Sequence, residues 1–502
     1  MALRELVLGV DIGTTATKAV LFDEKGRAVG AAKAAYPYTT PAPGWAEQDP
    51  DQVLEGVVSA IREALGRVPA GCRIAGVGFS SQMYSVLAVD GAGRPLTGCL
   101  TWMDHRAARE AEEIRRAAGE RLYHETGCPV DAIYPLAKIH WLRRQGGLAQ
   151  ARFLSIKEYV THFLCGEYAA DWSCASATGL FALRRCAWSE EALAAAGITA
   201  RQLSPPVPPR WTFPRWTPAA LAATGLSGKE TGVIGGGDGP LASLGVGAIL
   251  PGQVAVNVGT SAAARRVMRE PRTDDGGRLW CYVLDEGWWV SGGIVTSGGV
   301  VVDWFRHEVG DQAGAAGSDP ALSYRALNDA VASVPPGALG LVFIPYLTGE
   351  QCPAWNSEVS GAYLGLTLAH RREHLARATL EGVARALARV IEAGARLAGP
   401  ATEIRLTGGL NQCPAWLEIA TNTFGHEVCL PATLEGSAAG AAALAWIALG
   451  LWQGVEEAGR TAAVERRVPV QPEMARFYRE AGERFEELYE GIRPYLTRRS
   501  ER

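Results

Sequence analysis

The chain has 502 residues, of which 48% are hydrophobic and 20% are charged, and its formal net charge is −4. This length exceeds one ordinary hydrophobic core, so two or more domains are expected. The small net charge gives no reason to expect nucleic acid or an acidic membrane as a partner. The ten cysteines include no CxxC pair, which argues against a zinc ribbon and favours reduced thiols in a cytoplasmic protein.

The first predicted element is a β-hairpin over residues 7–23. An apolar strand leads into Asp-Ile-Gly-Thr-Thr at residues 11–15, and a second apolar strand leaves through Lys18. Backbone N–H groups, hydroxyls and an ammonium at such a tip can bind an anion. Asp11 would repel a bare phosphate, so its presence is explained by a divalent cation between the two. The hairpin therefore predicts Mg-nucleotide binding, with an ordinary Gly-Thr turn as the alternative.

Strands and helices alternate along the rest of the chain, which is typical of an α/β protein. In chain order, the pattern predicts a helix over residues 51–65, strands over 74–81 and 85–90, a loop over 204–209, a strand over 233–237 ending in a Gly-rich turn, and a helix over 241–247. Two later strands lead into similar turns, with Gly-Thr-Ser ending residues 254–261 and Gly-Gly within 404–411. These turns indicate a duplicated unit that holds nucleotide between its halves. A charged amphipathic helix is predicted over residues 474–489.

Two segments require a choice between a structural and a functional interpretation. Residues 436–455 carry no charge and have the length of a membrane-spanning helix. Because the first half is almost entirely Ala and Gly, a helix buried within the protein is predicted instead. His370 and His374 have the spacing of metal ligands, but the sequence contains no HExxH motif and an exposed helix start is favoured over a zinc site. The N-terminus lacks the features of a signal peptide.

A further motif resembles one known family. Residues 361–366 read Gly-Ala-Tyr-Leu-Gly-Leu, and residues 374–381 read His-Leu-Ala-Arg-Ala-Thr-Leu-Glu. Together they closely resemble the C-terminal signature of the FGGY family of carbohydrate kinases, and the resemblance extends over nearly the whole chain. It implies an α/β fold of two actin-like (ribonuclease H-like) domains with a cleft between them. The implied N-terminal domain covers residues 1–247 and the C-terminal domain covers residues 248–502.

The resemblance also implies a reaction. Residues 171–181, 346–355 and 365–370 are most similar to gluconokinases, which transfer the ATP γ-phosphoryl group to D-gluconate to give 6-phospho-D-gluconate. The loop at residues 80–85 departs from that pattern, because it contains Gln82-Met83 as xylulokinases do, and Tyr84 where both groups usually carry His. Phosphorylation of xylulose or of another pentulose or polyol is therefore the alternative. An actin-like assembly or chaperone ATPase is a remote alternative, and a catalytically inactive sugar sensor is another.

Site residues are implied by the same resemblance. Asp238 is predicted to be the general base, with capping of the following helix as the alternative, and Asp11 and Asp238 are predicted to hold Mg²⁺. The residues predicted to bind ATP are Asp11, Gly13, Thr14, Thr15, Lys18, Gly259, Thr260, Ser261, Gly299, Gly408, Gly409 and Asn411. The residues predicted to bind the sugar are Gln82, Met83, Tyr84, Trp102, Asp104, Arg106 and Asp238.

Several of these assignments have open alternatives. Lys18 could point to solvent, Asn411 could only form a turn, and Trp102 could belong to the core. The carboxylate of gluconate requires a cation, for which Arg106 and Lys138 are both candidates. The expected partner is a small-molecule sugar or sugar acid, with neither nucleic acid nor membrane, and a homodimer is an expectation carried over from the family.

Overall fold

A computed structural model describes residues 3–309 and 323–497. The chain divides into two compact units. The first unit comprises Met1–Pro251, Val267–Ser291 and Glu435–Ala463, and the second comprises Gly252–Arg266, Gly292–Leu434 and Val464–Arg502. The predicted α/β fold with two domains is confirmed, while the boundary at residues 247 and 248 stays a prediction.

The strands of the structure have the following bounds. In chain order they are β1 (Arg4–Ile12), β2 (Ala16–Phe22), β3 (Ala28–Ala35), β4 (Glu47–Gln48), β5 (Cys72–Ser81), β6 (Leu87–Val89), β7 (Cys99–Leu100), β8 (Arg152–Leu154), β9 (Ala170–Asp171), β10 (Phe181–Ala182), β11 (Ala187–Trp188), β12 (Pro206–Val207), β13 (Thr212–Phe213), β14 (Thr231–Gly237), β15 (Gln253–Val258), β16 (Ala262–Met268), β17 (Trp280–Asp285), β18 (Trp288–Val295), β19 (Val342–Ile344), β20 (Ala362–Leu364), β21 (Glu403–Gly408), β22 (Val428–Pro431) and β23 (Val464–Val468).

The α-helices have the following bounds. In chain order they are α1 (Pro50–Leu65), α2 (Ala108–Thr126), α3 (Pro135–Arg144), α4 (Ile156–Cys165), α5 (Trp172–Ser176), α6 (Glu190–Ala196), α7 (Pro218–Thr224), α8 (Asp238–Gly245), α9 (Gly299–Trp304), α10 (Tyr324–Ala332), α11 (Arg372–Ala398), α12 (Pro414–Phe424), α13 (Gly436–Ala448), α14 (Val455–Thr461) and α15 (Pro472–Leu496).

The main sheet of the first unit has the strand order β13-β14-β5-β1-β2-β3. Its three central strands, β14, β5 and β1, are parallel, whereas β2 and β3 continue antiparallel from β1. The register places Asp11 beside Ser80, and Ser80 beside Gly236. Because the carboxyl ends of parallel strands meet at one edge of a sheet, the residues that follow these strands lie at one edge, where α/β proteins usually bind ligands.

The local sequence explains the elements at this edge. β1 is apolar and buried over residues 6–10 and at Ile12, with Asp11 partly exposed, and a buried apolar run is usual for a strand covered on both faces. The predicted first helix is confirmed as α1, in which the Asp49 side chain accepts hydrogen bonds from the N–H groups of Asp51 and Gln52 and Pro50 occupies the first turn. The hairpin of β1 and β2 is also confirmed.

The uncharged segment at residues 436–455 contains the predicted buried helix, α13, which ends at Ala448 and is therefore shorter than expected. The helix packs against α8, β1 and β5 within the first unit, and its side chains from Ala441 to Ile447 are all buried. Small residues permit this close packing, since a methyl group at Gly78 in β5 would lie 2.2 Å from the carbonyl oxygen of Ala441. Among the residues that the structure describes, no helix combines the length and the apolar character needed to cross a membrane.

This close contact gives a first prediction. We expect Gly78→Ala to lower the free energy of unfolding by about 2 kcal/mol, because α13 must move away from β5 to accept the methyl group. Gly91→Ala is the matched control, since no atom lies within 4 Å of the added methyl group there. Urea unfolding of both variants measures the difference, and an equal effect of the two substitutions would contradict this packing.

The second unit contains strands in the order β16-β15-β21-β22-β23. β15, β21 and β22 are parallel, and an antiparallel strand flanks them on each side. The unit therefore repeats the arrangement of a hairpin followed by parallel strands that the first unit shows. The predicted C-terminal helix is confirmed and is longer than expected, since α15 extends over Pro472–Leu496. All ten cysteines are free thiols.

Candidate active site

The hairpin tip between β1 and β2 carries the predicted phosphate-binding residues of the first unit. The N–H group of Gly13 donates to Ala16 O at 3.0 Å, which closes the tip, and Tyr36 OH donates to Gly13 O at 2.8 Å. Thr15 is exposed, while Gly13 and Thr14 are partly buried. The tip is thus fixed from its base and presents its outer residues to solvent.

Asp11 lies at the base of this tip. One of its carboxylate oxygens accepts a hydrogen bond from the Ser80 hydroxyl at 2.8 Å. The pKa of Asp11 is raised to about 7, first by burial and next by the negative charge of Asp238, while Ser80 and Lys18 act in the opposite direction. Two carboxylates therefore repel each other at this edge of the sheet. A hard divalent cation would relieve this repulsion, and carboxylate oxygens are suitable ligands for it.

Lys18 does not extend freely into solvent. Its ammonium forms an ion pair with Glu435 at 2.7 Å, and both side chains are partly exposed. Lys18 also lies opposite Asp11 in the hairpin register. Glu435 directly precedes α13 and was not predicted as a site residue, because 417 residues separate it from Lys18.

Asp238 is the first residue of α8 and follows β14 directly. One of its carboxylate oxygens accepts from the N–H group of Gly239 at 2.7 Å. The N-cap position of the helix is occupied by Gly237, so the geometry does not support the alternative role of Asp238 as the N-cap. Asp238 is partly exposed, which leaves its carboxylate at the sheet edge that also carries Asp11.

A buried polar cluster holds the peptide that precedes Asp238. The Lys157 ammonium donates to Gly236 O at 3.1 Å and to an Asp171 carboxylate oxygen at 2.9 Å. On the other side, Ser173 Oγ accepts from the Gly237 N–H group at 3.1 Å. The side chains of Lys157 and Asp171 are almost completely buried. This cluster, which we call the Lys157 cluster (Lys157, Asp171 and Ser173), fixes the position from which the Asp238 side chain departs.

The Lys157 cluster gives a second prediction. Lys157→Met leaves the Asp171 charge buried without its partner, so we expect the free energy of unfolding to fall by about 3 kcal/mol. We also expect kcat to fall, because the Gly236 carbonyl loses its donor. Lys229→Met is the control, since this lysine is exposed.

A double variant distinguishes the effect of an unpaired buried charge from the effect of altered packing. Lys157→Met combined with Asp171→Asn leaves no charge within the Lys157 cluster, so part of the lost stability should return. Urea unfolding and steady-state kinetics are the measurements, and wild-type stability of Lys157→Met alone would contradict the assigned contacts.

A hydrogen-bonded network joins the hairpin tip to the predicted sugar loop. Gln82 is buried, and its amide nitrogen donates to the Gln48 side chain at 2.7 Å, while its amide oxygen accepts from Thr14 Oγ1 at 3.1 Å. Trp102 Nε1 donates to the same Thr14 hydroxyl at 3.0 Å. Trp102 is partly exposed, so it is not a core residue. Predicted ATP-binding and sugar-binding residues are thus in direct contact.

Asp104 and Arg106 face each other within the next loop. The Arg106 guanidinium forms ion pairs with Asp104 at 2.7 Å and with Glu47 at 2.6 Å. It also lies over the Trp45 ring, 3.7 Å from its centroid, and only 4% of the side chain is exposed. Asp104 is fully buried and accepts from the Ala46 N–H group at 2.8 Å. Both side chains are therefore held by partners within the protein, and their contact with the sugar stays a prediction.

The Lys138 ammonium is also hydrogen-bonded to other parts of the protein. Its ammonium donates to Thr101 O at 2.7 Å and to Tyr84 O at 3.0 Å, and burial lowers its pKa to about 7. Lys138 thereby joins the loop that contains Trp102 to the loop that contains Tyr84. In the described structure, both cations considered for a gluconate carboxylate are already bound to oxygen atoms of the protein.

Met83 and Tyr84 complete the predicted sugar loop. The Met83 side chain is 5% exposed and packs on Gly237, the residue before Asp238. Tyr84 is partly buried, and its backbone adopts φ 68°, a conformation that non-glycine residues rarely adopt. The predicted sugar loop therefore contacts, through the Met83 side chain, the turn that carries the predicted general base Asp238.

In the second unit, the predicted phosphate tip lies between β15 and β16. The Gly259 N–H group donates to Ser261 O at 2.9 Å, and the Gly299 N–H group donates to Gly259 O at 2.8 Å. The Val300 N–H group continues this pairing with Thr260 O at 2.9 Å. The structure thus brings Gly299, which is 40 residues away in sequence, directly to the tip.

The predicted adenosine turn follows β21 in the same unit. Gly408 has φ 117°, and a methyl group there would lie 2.1 Å from Val258 O, so only glycine fits beside β15. No atom lies within 4 Å of a methyl group placed on Gly409. Asn411 donates to Leu406 O at 3.0 Å, and its amide oxygen is buried with no hydrogen-bond partner among the described residues. The backbone at Gly409 is therefore unobstructed, and the Asn411 amide oxygen of the same turn is an acceptor without a partner among the described residues.

The chain is similar to known proteins over most of its length. Residues 6–245 match the N-terminal domain of the FGGY family of carbohydrate kinases, and residues 254–449 match its C-terminal domain. A gluconokinase of Bacillus subtilis (strain 168) is 40% identical over 453 residues, which cover 88% of each chain.

Solved structures show the same similarity. A gluconate kinase from Lactobacillus acidophilus is 28% identical with a TM-score of 0.92, covering 98% of this chain and 99% of that chain. A ligand-bound xylulose kinase from the same organism is 28% identical with a TM-score of 0.91, covering 97% and 98%. The chain belongs to the FGGY family of carbohydrate kinases. It is therefore an enzyme that acts on a small-molecule sugar, and its family implies ATP as the phosphoryl donor.

Proposed function

We propose that the protein is an ATP-dependent gluconokinase, which transfers the γ-phosphoryl group to the C6 hydroxyl of D-gluconate. The observation that carries this proposal is the pair of carboxylates at one sheet edge, with Asp238 held by the Lys157 cluster and Asp11 beside the phosphate tip. The choice of gluconate is supported by the 40% identity with the Bacillus subtilis gluconokinase.

In the proposed reaction, Asp238 accepts the proton of the attacking primary hydroxyl as the phosphoryl group is transferred. Phosphoryl transfer otherwise depends on positioning and charge stabilisation. Gly13, Thr14 and Thr15 in the first unit, and Gly259, Thr260 and Ser261 in the second, are proposed to contact the phosphates. Gly299 supports the second tip.

Mg²⁺ is the proposed metal of this reaction. Asp11 would hold it, largely through water, with Asp238 as the second carboxylate, and the ion would neutralise charge on the transferred phosphate. Lys18 is proposed to contribute positive charge beside Asp11 while remaining paired with Glu435.

For the remaining ligands, we propose that Gly408 and Gly409 let adenosine approach the backbone and that Asn411 offers it an acceptor. Gln82, Met83, Tyr84 and Trp102 are proposed to line the sugar site. Asp104, Arg106 and Lys138 are proposed to hold the loops that carry this site.

A second candidate function is phosphorylation of xylulose. It is favoured by Gln82-Met83 in the sugar loop and by the similarity to the xylulose kinase of Lactobacillus acidophilus. We expect kcat/KM for gluconate to exceed that for xylulose, ribulose and glycerol by at least about 100-fold, the discrimination that a few hydrogen bonds supply. A coupled ADP-release assay across these acceptors tests the proposal, and strong turnover of a ketopentose without turnover of gluconate would reverse the order.

A further inference from the structure

Three tyrosine hydroxyls form a chain in the first unit. Tyr282, in the middle of β17, places its hydroxyl 2.9 Å from that of Tyr134 and 3.2 Å from that of Tyr84. Tyr282 and Tyr134 are fully buried, whereas Tyr84 is partly exposed. A hydrogen-bonded chain therefore leads from the interior of the unit to the loop that is proposed to bind the sugar.

The middle residue of this chain, Tyr282, is held in place by its neighbours. The Tyr282 ring stacks on Trp280 with centroids 4.2 Å apart and an interplanar angle of 7°. The next residue, Val283, donates its N–H group to Ser176 Oγ at 2.9 Å. Tyr282 is thus held by a ring stack and by a backbone bond next to it, which gives its hydroxyl a defined position.

The outer end of the chain is conformationally strained. Tyr84 has φ 68°, and a bulky side chain retains such a backbone only where its surroundings enforce it. Those surroundings are the edges of two aromatic rings, since Tyr84 forms T-shaped pairs with Tyr134 at 5.5 Å and with Tyr282 at 6.1 Å. The Lys138 ammonium holds the Tyr84 carbonyl from the other side. Strain of this kind is typical of positions that bind a ligand.

We propose that Tyr282, supported by Tyr134, is a positioning residue for acceptor selection that acts through the Tyr84 hydroxyl. The inference rests on the proposed function, because Tyr84 lies in the loop proposed to contact the sugar. A phenolic hydroxyl both donates and accepts, which suits the hydroxyl-rich chain of a polyol or sugar acid. Because the Tyr282 hydroxyl is hydrogen-bonded to the Tyr84 hydroxyl, it fixes the orientation of that hydroxyl in the loop proposed to contact the sugar.

A double-mutant cycle tests this coupling. We expect Tyr84→Phe and Tyr282→Phe each to raise KM for the acceptor about fivefold, which is the loss of roughly one hydrogen bond, with KM for ATP unchanged within twofold. The double variant should be no worse than Tyr84→Phe alone, because Tyr282 acts only through Tyr84. Phenylalanine keeps both rings, so the packing on Trp280 and Tyr134 survives.

Tyr123→Phe is the matched control. Its hydroxyl is also buried and donates to Leu279 O at 2.7 Å, just before β17, so the substitution should lower the thermal midpoint without changing acceptor KM. The inference would be overturned if Tyr84→Phe and Tyr282→Phe had additive effects on the KM for the acceptor. It would also be overturned if Tyr282→Phe lowered the stability and left this KM unchanged.

The double-mutant cycle is measured with whichever acceptor is phosphorylated fastest. A wrong substrate assignment and a wrong role for Tyr282 then give different results. Absence of gluconate turnover would remove the proposed substrate and leave the cycle measurable with a ketopentose. Additivity with the preferred acceptor would remove the role of Tyr282 and leave the substrate assignment intact.

Discussion

Asp238→Asn is expected to lower kcat by about 10³-fold while leaving the Kd for ATP unchanged within about twofold. The amide keeps the size of the side chain and can still accept from the Gly239 N–H group, but it cannot take the proton of the attacking hydroxyl. The Lys157 cluster holds the preceding peptide through Gly236 and Gly237, so the turn should keep its conformation. The loss should therefore appear in the chemical step.

Single-turnover kinetics and nucleotide titration separate these effects. Asp275→Asn is the control, because this aspartate is exposed in the first unit and should leave both values unchanged. Sugar-independent ATPase activity that survives Asp238→Ala would favour the alternative of an actin-like ATPase. Near-normal turnover by Asp238→Asn would remove Asp238 as the general base.

Asp11→Asn is expected to have opposite effects on activity and on stability. We expect kcat/KM for Mg-ATP to fall at least about 100-fold, because the proposed ligand to the cation loses its charge. In the absence of metal and nucleotide, the same variant should be more stable than the wild type at pH 8, since it removes a negative charge that is disfavoured first by burial and next by repulsion from Asp238.

The sign of the pH dependence follows from the pKa of Asp11. That pKa is about 7 in the folded state, compared with 3.8 for an unperturbed aspartate, so between these pH values the folded state binds a proton that the unfolded state has lost. The contribution of the Asp11 carboxyl to the free energy of unfolding is fully present below about pH 4 and is lost as the pH rises to about 7. The pKa rise corresponds to at most about 4 kcal/mol.

Urea unfolding in EDTA at pH 5 and pH 8 measures this contribution. The wild type should lose more stability than Asp11→Asn over that range, and Ser80 can still donate to the asparagine oxygen. Equal pH slopes for the two proteins would show that Asp11 is not perturbed.

The elements that carry the site follow from local sequence patterns. The hairpin of β1 and β2, the capped helix α1 and the buried helix α13 each have a pattern contained in one stretch of chain. The alternation of strands and helices likewise predicts the α/β class. Asp238 follows a recognisable strand and Gly-rich turn, which made its position at the end of β14 predictable.

Contacts between distant stretches could not be predicted in this way. Glu435 pairs with Lys18 across 417 residues, and Tyr282 meets Tyr84 across 198. The Lys157 cluster supports Asp238 through residues that show no catalytic motif. Arg106 was predicted to bind sugar because of its residue type and loop, but its partner Glu47 and the Trp45 ring become visible only in the fold.

The identity of the phosphorylated product tests the proposed gluconokinase activity directly. Incubation with Mg-ATP and D-gluconate, followed by phosphorus and carbon NMR of the product, measures which carbon carries the phosphate. We expect one phosphate ester, on C6, formed in equal amount to ADP. Release of inorganic phosphate without a sugar phosphate, or phosphate on another carbon, would contradict it.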